Sequence, residues 1–211
     1  MINRYNKNRE LLKDNHVYSN DMEHDACGVG LVVSTEGKKS RKVVENGIEA
    51  LKAVWHRGAV DADGKTGDGA GIHVEIPKDF FVEKIEITGH KYDNSEICVG
   101  MVFLPKNNYE SQEICRTLIE SELTKNNFNI YGWRQVPVSP QVLGSKADQT
   151  RPEIAQVIFR HKDKNFVGKA LERKLYETRR KIEKQANSMS LNNFYICSFS
   201  SKSIIYKGMF L

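Results

Sequence analysis

The chain has 211 residues, of which 39% are hydrophobic and 28% are charged, and this composition suits one globular domain or part of one. No apolar run approaches the roughly 18–20 residues that span a bilayer, and the N-terminus lacks an apolar signal region. We therefore predict a cytoplasmic protein without a membrane partner. The formal net charge is +5, and much of it lies in a predicted helix over residues 166–185. Because mixed charge on one helix is typical of a solvated face, no nucleic-acid partner is predicted.

The four cysteines lie far apart and form no C-x-x-C pair, which indicates a reducing compartment and neither a disulfide scaffold nor a zinc site. They are Cys27, Cys98, Cys115 and Cys197. The histidines fall on different predicted elements, and none has the H-x-x-x-H spacing that places two imidazoles on one helix face. We therefore predict no metal site.

The first part of the chain alternates between polar segments and periodic ones. Residues 1–21 are polar and predict a poorly ordered leader. Residues 28–34 are apolar and rich in β-branched side chains, which predicts a strand, with a turn over 35–39. Ser40 is a suitable N-cap for an amphipathic helix that reaches about His56 and ends at Gly58.

The remainder predicts strands and helices in alternation. Residues 60–71 form a Gly- and Asp-rich loop, Phe80 and Phe81 pack under the next turn, and 85–88 form a short element. Strands are predicted over residues 71–76, 97–104, 128–138, 154–160, 194–199 and 203–207, the last two as a hairpin. Helices are predicted over 111–125 and 166–185, with a loop and a short helical turn over 140–151. Interleaved strands and helices favour an α/β or α+β layered domain.

The stretch Glu23-His24-Asp25-Ala26-Cys27-Gly28-Val29-Gly30 is the most informative for chemistry. Gly28 has no side chain to block a ligand that approaches Cys27. The alternative interpretation is that Cys27 is a small buried core residue, as most free cysteines are. Spacing alone leaves both interpretations open.

Several short sequence motifs together resemble one known family. His24-Asp25-Ala26-Cys27-Gly28-Val29-Gly30, His56-Arg57-Gly58-Ala59, Lys65-Thr66-Gly67-Asp68-Gly69-Ala70-Gly71 and Tyr206-Lys207-Gly208-Met209 resemble the glutaminase domain of the glutamate synthases. That domain is a class II glutamine amidotransferase of the N-terminal-nucleophile type. The resemblance spans Cys27 to the last residue. It implies an α+β fold, namely a four-layer αββα sandwich.

The resemblance also implies how the chain is divided. Residues 1–26 would be a leader that is removed on maturation, and residues 27–211 would be the N-terminal part of a type 2 amidotransferase domain. The family's oxyanion-hole Asn-Gly motif follows Tyr-Lys-Gly-Met, but the one Asn-Gly here is Asn46-Gly47, inside a predicted helix. We therefore expect a domain that is incomplete at its C-terminus and a fragment that is inactive alone.

The implied chemistry centres on Cys27 as the catalytic residue. A free α-amino group has a pKa of about 7.7–8.0 and a thiol one of about 8.5, so an amine on the same residue is matched to accept the thiol proton. Arg57 resembles the family's arginine that organises the site, and a helix-end arginine is the alternative. Gly28, Asp68 and Gly69 are the other predicted site residues. For the glycine-rich loop, a pocket border and a simple tight turn both remain open.

The implied activity is the glutaminase half-reaction of glutamate synthase, in which Cys27 attacks L-glutamine and ammonia passes to a synthase domain of the same polypeptide that uses 2-oxoglutarate. No cofactor is expected in this chain, whereas FMN and an iron–sulfur cluster are expected in the missing part of the full-length oxidoreductase. A reductase small subunit is a further expected partner. The alternatives are another class II amidotransferase or a non-catalytic module that keeps the fold.

Overall fold

The computed structural model describes residues 28–55 and 58–209, together with the isolated positions Asn3, Lys7, Glu10 and Leu11. It divides into two compact units, Met1–Leu31 and Val32–Leu211. In the first unit, the four isolated positions are helical and exposed. Most of the predicted leader lies outside the described residues, so its poor order stays a prediction. Among the described residues, no helix has the length and apolar character needed to cross a membrane.

The strand predicted over residues 28–34 is not formed. These residues have no regular secondary structure, and Val29, Leu31 and Val33 are 95%, 85% and 65% exposed. Because these three apolar residues alternate along the chain, they would lie on one face of a strand. A strand forms, however, only where a neighbouring strand completes its backbone hydrogen bonds. The predicted turn that follows is present, closed by the Gly37 amide donating to Ser34 O at 3.1 Å.

The second unit contains the rest of the described secondary structure. Helices α1 to α5 span Arg41–Ala53, Lys78–Ile87, Tyr109–Lys125, Ser145–Thr150 and Gly168–Ser188. Strands β1 to β6 span Gly69–Glu75, Cys98–Leu104, Phe128–Gln135, Glu153–His161, Tyr195–Ser200 and Ser203–Met209. A 3₁₀ turn, Pro140–Val142, precedes α4. Each of these strands was predicted within a few residues.

The helix starts follow local chemistry. Ser40 caps α1 by accepting the Val43 amide, as predicted, and Asn108 caps α3 by accepting the Ser111 amide at 3.0 Å. The predicted end of α1 at Gly58 is wrong, because the helix ends at Ala53. Helix α2 was missed as a helix. Its buried Phe81 and Ile85 have the i, i+4 spacing that identifies one helix face.

The larger sheet has the order β3-β4-β2-β5 and all its pairs are antiparallel. The predicted central strand, β2, lies inside it. One face packs against α3 and α5 to form the first core, which includes Val102 and Phe159 of the sheet and Leu175 of α5. The other face, the second core, includes Val99 and Met101 and packs against α2 and β6. Alternation along β2 thus supplies both cores.

The smaller sheet pairs β1 with β6, antiparallel from Gly69–Met209 to Glu75–Ser203. The predicted β5–β6 hairpin is therefore wrong, since β5 pairs with β2 instead. A two-residue hairpin turn needs residues that accept positive φ, and Ser201-Lys202 does not supply them. The Glu172 carboxylate instead accepts hydrogen bonds from Ser200 and Ser201, and the chain crosses there from one sheet to the other.

A buried amide joins the two sheets. Gln156 of β4 is fully buried, accepts from Arg134 Nη1 at 2.9 Å and donates to Tyr206 Oη of β6 at 3.2 Å. Helix α1 contacts β1, where an added Cβ on Gly47 would lie 3.6 Å from Ile72. The architecture is a mixture of helices and antiparallel sheets, which agrees with the α+β prediction.

Candidate functional site

The predicted nucleophile Cys27 and the predicted partner Arg57 lie outside the described residues, as do His24, Asp25 and His56. Their proposed roles rest on sequence. Gly28, which follows the predicted nucleophile, is exposed and has no regular secondary structure. What the structure does describe is the segment that follows Arg57, together with the elements that hold it.

The segment Ala59–Asp68 folds back on itself as a short loop, here called the clasp loop. Its two ends are joined twice, by the Asp68 amide donating to Ala59 O at 3.2 Å and the Ala59 amide donating to Asp68 Oδ2 at 2.9 Å. Within the loop, Val60 bridges Gly67, and the Asp61 amide donates to Thr66 O at 2.8 Å. Gly64 has φ +70°, a left-handed conformation that favours glycine at the tip.

Asp68 therefore uses its carboxylate to close the stem of the clasp loop. Asp68 Oδ2 accepts the backbone amide of Ala59. This hydrogen bond gives the Asp68 carboxylate a structural role that does not require substrate. Gly69 was predicted to lie in the loop over residues 60–71, but it begins β1 instead. Within β1, Gly71 has the steric requirement, because an added Cβ there would lie 2.9 Å from Tyr206 O in the paired strand.

The clasp loop is also fastened to α4, about 80 residues further along the chain. Lys146 Nζ donates to both Asp61 carboxylate oxygens, at 2.7 and 2.8 Å. Asp63 Oδ2 accepts the Lys146 amide at 3.3 Å and the Ser145 hydroxyl at 3.4 Å. The Ala147 amide donates to Thr66 Oγ1 at 3.3 Å.

Gly144 permits this close approach. An added Cβ there would lie 2.3 Å from Thr66 Oγ1 and 2.4 Å from Asp63 Oδ2. Real Cβ atoms do not come that close, and the φ of Gly144 is −70°, so the requirement is for space rather than for a glycine backbone. The loop and the start of α4 are thus in direct contact.

The charges of the clasp loop reflect these contacts. Hydrogen bonds from the Thr66 side chain and backbone hold the pKa of Asp63 well below its usual range. Hydrogen bonds from Lys146 and then the Ala62 amide lower the pKa of Asp61, and Asp61 in turn raises the pKa of Lys146. All three groups are therefore charged near neutral pH.

Asp61, Asp63 and Lys146 were not singled out from sequence. The run Asp61-Ala62-Asp63-Gly64 predicts a turn, since Asp accepts nearby amides and Gly takes positive φ. Nothing in the sequence indicates that residues 144–147 supply the partners, because the two segments are linked only by the fold.

The three described cysteines are unsuited to nucleophilic chemistry. Cys98, Cys115 and Cys197 are at most 4% exposed. Burial raises the pKa of all three thiols, that of Cys115 to about 11. At neutral pH they remain protonated and out of contact with a substrate.

No group of three metal-ligating side chains occurs among the described residues. His73 forms a hydrogen bond across the small sheet, with its Nε2 2.6 Å from Ser203 Oγ. A cleft of about 340 Å³ lies between the start of α3 and residues 190–193. Its lining includes none of the predicted site residues.

Comparison with known proteins gives a family and a set of relatives. A family model described as "Glutamine amidotransferases class-II" matches residues 27–211. The chain is 51% identical over 207 residues to the glutamate synthase [NADPH] large chain of Azospirillum brasilense, covering 98% of this chain and 14% of that protein. It is 39% identical over 191 residues to a ferredoxin-dependent glutamate synthase of Cyanidium caldarium, covering 89% and 12%. The corresponding chloroplastic enzyme of Spinacia oleracea is 36% identical over 189 residues, with the same coverage.

The chain therefore spans about one-eighth to one-seventh of the length of these relatives. The family match begins at Cys27, the residue that the sequence singles out as the nucleophile. Since the match runs from there to the last residue, this chain belongs to the class II glutamine amidotransferases.

Proposed function

We propose that this chain supplies the nucleophile and part of the pocket for the glutaminase half-reaction of a glutamate synthase, which converts L-glutamine to glutamate and ammonia. The observation that carries the proposal is the family match that starts at Cys27, together with 51% identity to a glutamate synthase large chain. The relatives named here include both NADPH- and ferredoxin-dependent enzymes, so the proposal concerns the glutaminase step and leaves the electron donor open.

The chemistry assigns Cys27 as nucleophile once residues 1–26 have been removed. The Cys27 thiolate attacks the side-chain amide carbon of glutamine, and its own α-amino group accepts the thiol proton and returns it to the departing ammonia. Water then hydrolyses the thioester and releases glutamate. Arg57 would stabilise the thiolate, and Gly28 would leave the approach to the sulfur open.

The remaining expectations belong to the same proposal. The fold would be completed as a four-layer αββα sandwich. Ammonia would pass to a synthase domain of the same polypeptide, and a reductase subunit would supply electrons. FMN and an iron–sulfur cluster would be held by that synthase part. The cysteines that the structure describes do not fit an iron–sulfur cluster, because they are buried on separate elements.

The test is active-site labelling of the full-length protein that carries this chain. The electrophilic glutamine analogue 6-diazo-5-oxo-L-norleucine should add once per chain, at Cys27, and should abolish glutamine hydrolysis. Cys27→Ala should lose both the label and the activity. Cys197→Ser is the matched control and should keep both, because that thiol is 4% exposed.

Intact mass of the active protein tests the maturation step. The expected mass lacks residues 1–26. Glutamine hydrolysis by a protein that still carries Ala26 in peptide linkage, or by the Cys27→Ala variant, would overturn the proposal. Formation of glutamate from 2-oxoglutarate by the same preparation, given a reductant, separates a glutamate synthase from another class II amidotransferase.

A further inference from the structure

Helix α5 presents a line of cations on the side that faces away from the first core. Lys169, Arg173, Arg180 and Lys184 are exposed, and with Tyr176 they recur every three or four residues. Residues at that spacing share one side of a helix, and these five are here called the basic stripe. The side chains of Arg173 and Arg180 are 82% and 62% exposed, and Tyr176 at the middle is 63% exposed. The stripe is ~22 Å long.

The basic stripe is placed against the local stability of its own helix. Lys169 lies in the first turn, where a cation opposes the helix dipole, and that turn has no acidic residue. The N-cap residue Val167 offers no side-chain hydrogen bond. Lys169 and Arg173, and likewise Arg180 and Lys184, have the i, i+4 spacing at which like charges repel. Because local rules of stability are broken mainly at functional sites, the arrangement indicates more than a solvated face.

Neighbouring carboxylates leave much of the stripe's charge uncompensated. Arg173 and Arg180 each pair with one glutamate of α5. Within the part of the chain that the structure describes, neither Lys169 nor Lys184 has an ion pair. Three carboxylates of the adjacent helix α3 already have partners on α3 or β3, namely Glu113 with Arg116, Glu122 with Lys125 and Glu120 with Trp133. The stripe can therefore still attract carboxylates from outside the chain.

We infer that the basic stripe is a docking surface for an acidic helix of a separate partner protein. Cations about one helical turn apart match carboxylates at the same spacing on a second helix laid along α5. Tyr176 supplies an anchor at the centre, since Tyr and Arg are enriched among the residues that dominate binding energy. Nucleic acid fits less well, because the half-exposed Glu177 lies between Arg173 and Arg180 and repels a continuous phosphate backbone.

The experiment measures how tightly the full-length protein binds a fluorescein-labelled peptide that carries Glu at every fourth position over about four helical turns. Arg173→Gln/Arg180→Gln should weaken binding by about tenfold, because it removes both arginines of the stripe. Arg41→Gln/Lys52→Gln in α1 is the matched control, since both of its side chains are exposed and it removes the same net charge. That control should stay within about twofold of the parent.

Two single variants separate docking from a merely solvated face. Lys169→Glu places a carboxylate in the first turn and four residues before Arg173, so it should raise the melting temperature. The same variant should weaken peptide binding by about threefold, because it reverses one charge of the stripe. Tyr176→Ala should weaken binding by about fivefold. Tyr109→Ala on α3 is its matched control and should not, although Tyr109 is 80% exposed.

Four results would overturn the inference. Two of them show attraction to net charge alone: an equal loss of binding in the α1 control, or equal binding of a scrambled peptide of the same composition. A third is the absence of measurable peptide binding at low salt. The fourth is tighter binding of single-stranded DNA of equal charge through the same arginines, which would assign the stripe to nucleic acid. The proposed function is tested separately, by glutamine hydrolysis in the Cys27→Ala variant.

Discussion

The four-stranded sheet is covered on both faces, whereas helix α1, which contacts the two-stranded sheet, buries none of its residues. The large sheet supplies fully buried residues to two cores, among them Phe159 and Val99. In contrast, Trp55 just after α1 is 72% exposed. Two predicted site residues belong to this sparsely packed region, because Asp68 lies between α1 and β1 and Gly69 begins β1. Packing and proposed chemistry are therefore concentrated in different regions of the chain.

The largest expected effect is that of a cavity in the first core. Phe159 is fully buried, with its ring 5.3 Å from that of Phe128 and 4.9 Å from that of Phe199. Phe159→Ala should lower the free energy of unfolding by about 3–5 kcal/mol. Val44→Ala in α1, which is only partly buried, should cost under about 1 kcal/mol. Urea unfolding of both variants tests the contrast, and equal losses would contradict it.

A smaller effect is expected from overpacking. An added Cβ on Gly100 would lie 2.7 Å from side-chain atoms of both Phe199 and Val157. Gly100→Ala should therefore cost about 1–3 kcal/mol of unfolding free energy. Gly30 has nothing within 4 Å of an added Cβ, so Gly30→Ala should change stability by under about 0.5 kcal/mol. Thermal unfolding of each variant measures the difference in stability. A Gly100→Ala variant with the melting temperature of the parent would contradict the prediction.

Asp93 offers a pH-dependent test in the densely packed part. Burial alone would raise the pKa of Asp93, but hydrogen bonds from Ser95 and Lys164 and the Arg160 charge hold it well below its usual range. A carboxyl whose pKa is lowered in the folded state stabilises above its unfolded pKa of about 3.9, and the stabilisation is lost as the pH falls below that value.

Asp93→Asn should therefore cost about 1 kcal/mol at pH 7. The difference between Asp93→Asn and the parent should shrink steadily as the pH is lowered below about 4. Urea unfolding at a series of pH values measures it. A difference that stays constant down to pH 2 would contradict the assignment of charged partners to Asp93.

The smallest expected effect is a gain in the sparsely packed region. Gly47 lies inside α1, and an added Cβ would make an ordinary contact 3.6 Å from Ile72. Gly47→Ala should stabilise α1 by about 0.5–1 kcal/mol, because alanine loses less backbone entropy than glycine. Slower amide hydrogen exchange in α1 is the expected observation. Faster exchange would show that α1 depends on a closer approach to β1 than the structure describes.

Periodicity predicted the elements that are buried on a regular face. Strand β2 is a continuous apolar run ended by Pro105, and α3 carries Cys115, Leu118 and Ile119 at helical spacing. Both kinds of pattern are local, so the sequence contains them in full. The motifs around Cys27 and Asp68 likewise indicated the family, which the comparison then confirmed.

Pairing partners were the part that periodicity did not determine. The alternation over residues 28–34 predicted a strand that is not formed, and β5 and β6 were expected to pair with each other. Whether an extended segment becomes a strand depends on a neighbour that can be distant in sequence. The same holds for α2, because its Phe81 and Ile85 are buried in the second core, which forms only in the folded chain.

By itself, then, the sequence determined the family, the proposed nucleophile Cys27 and most element boundaries, because these depend on residue identity and short-range spacing. The tertiary structure alone decided that Asp61, Asp63 and Lys146 meet, and that Asp68 closes the stem of the clasp loop. Contacts between residues about 80 positions apart arise only when the chain has folded, since a sequence pattern carries no information on which distant polar groups will face each other.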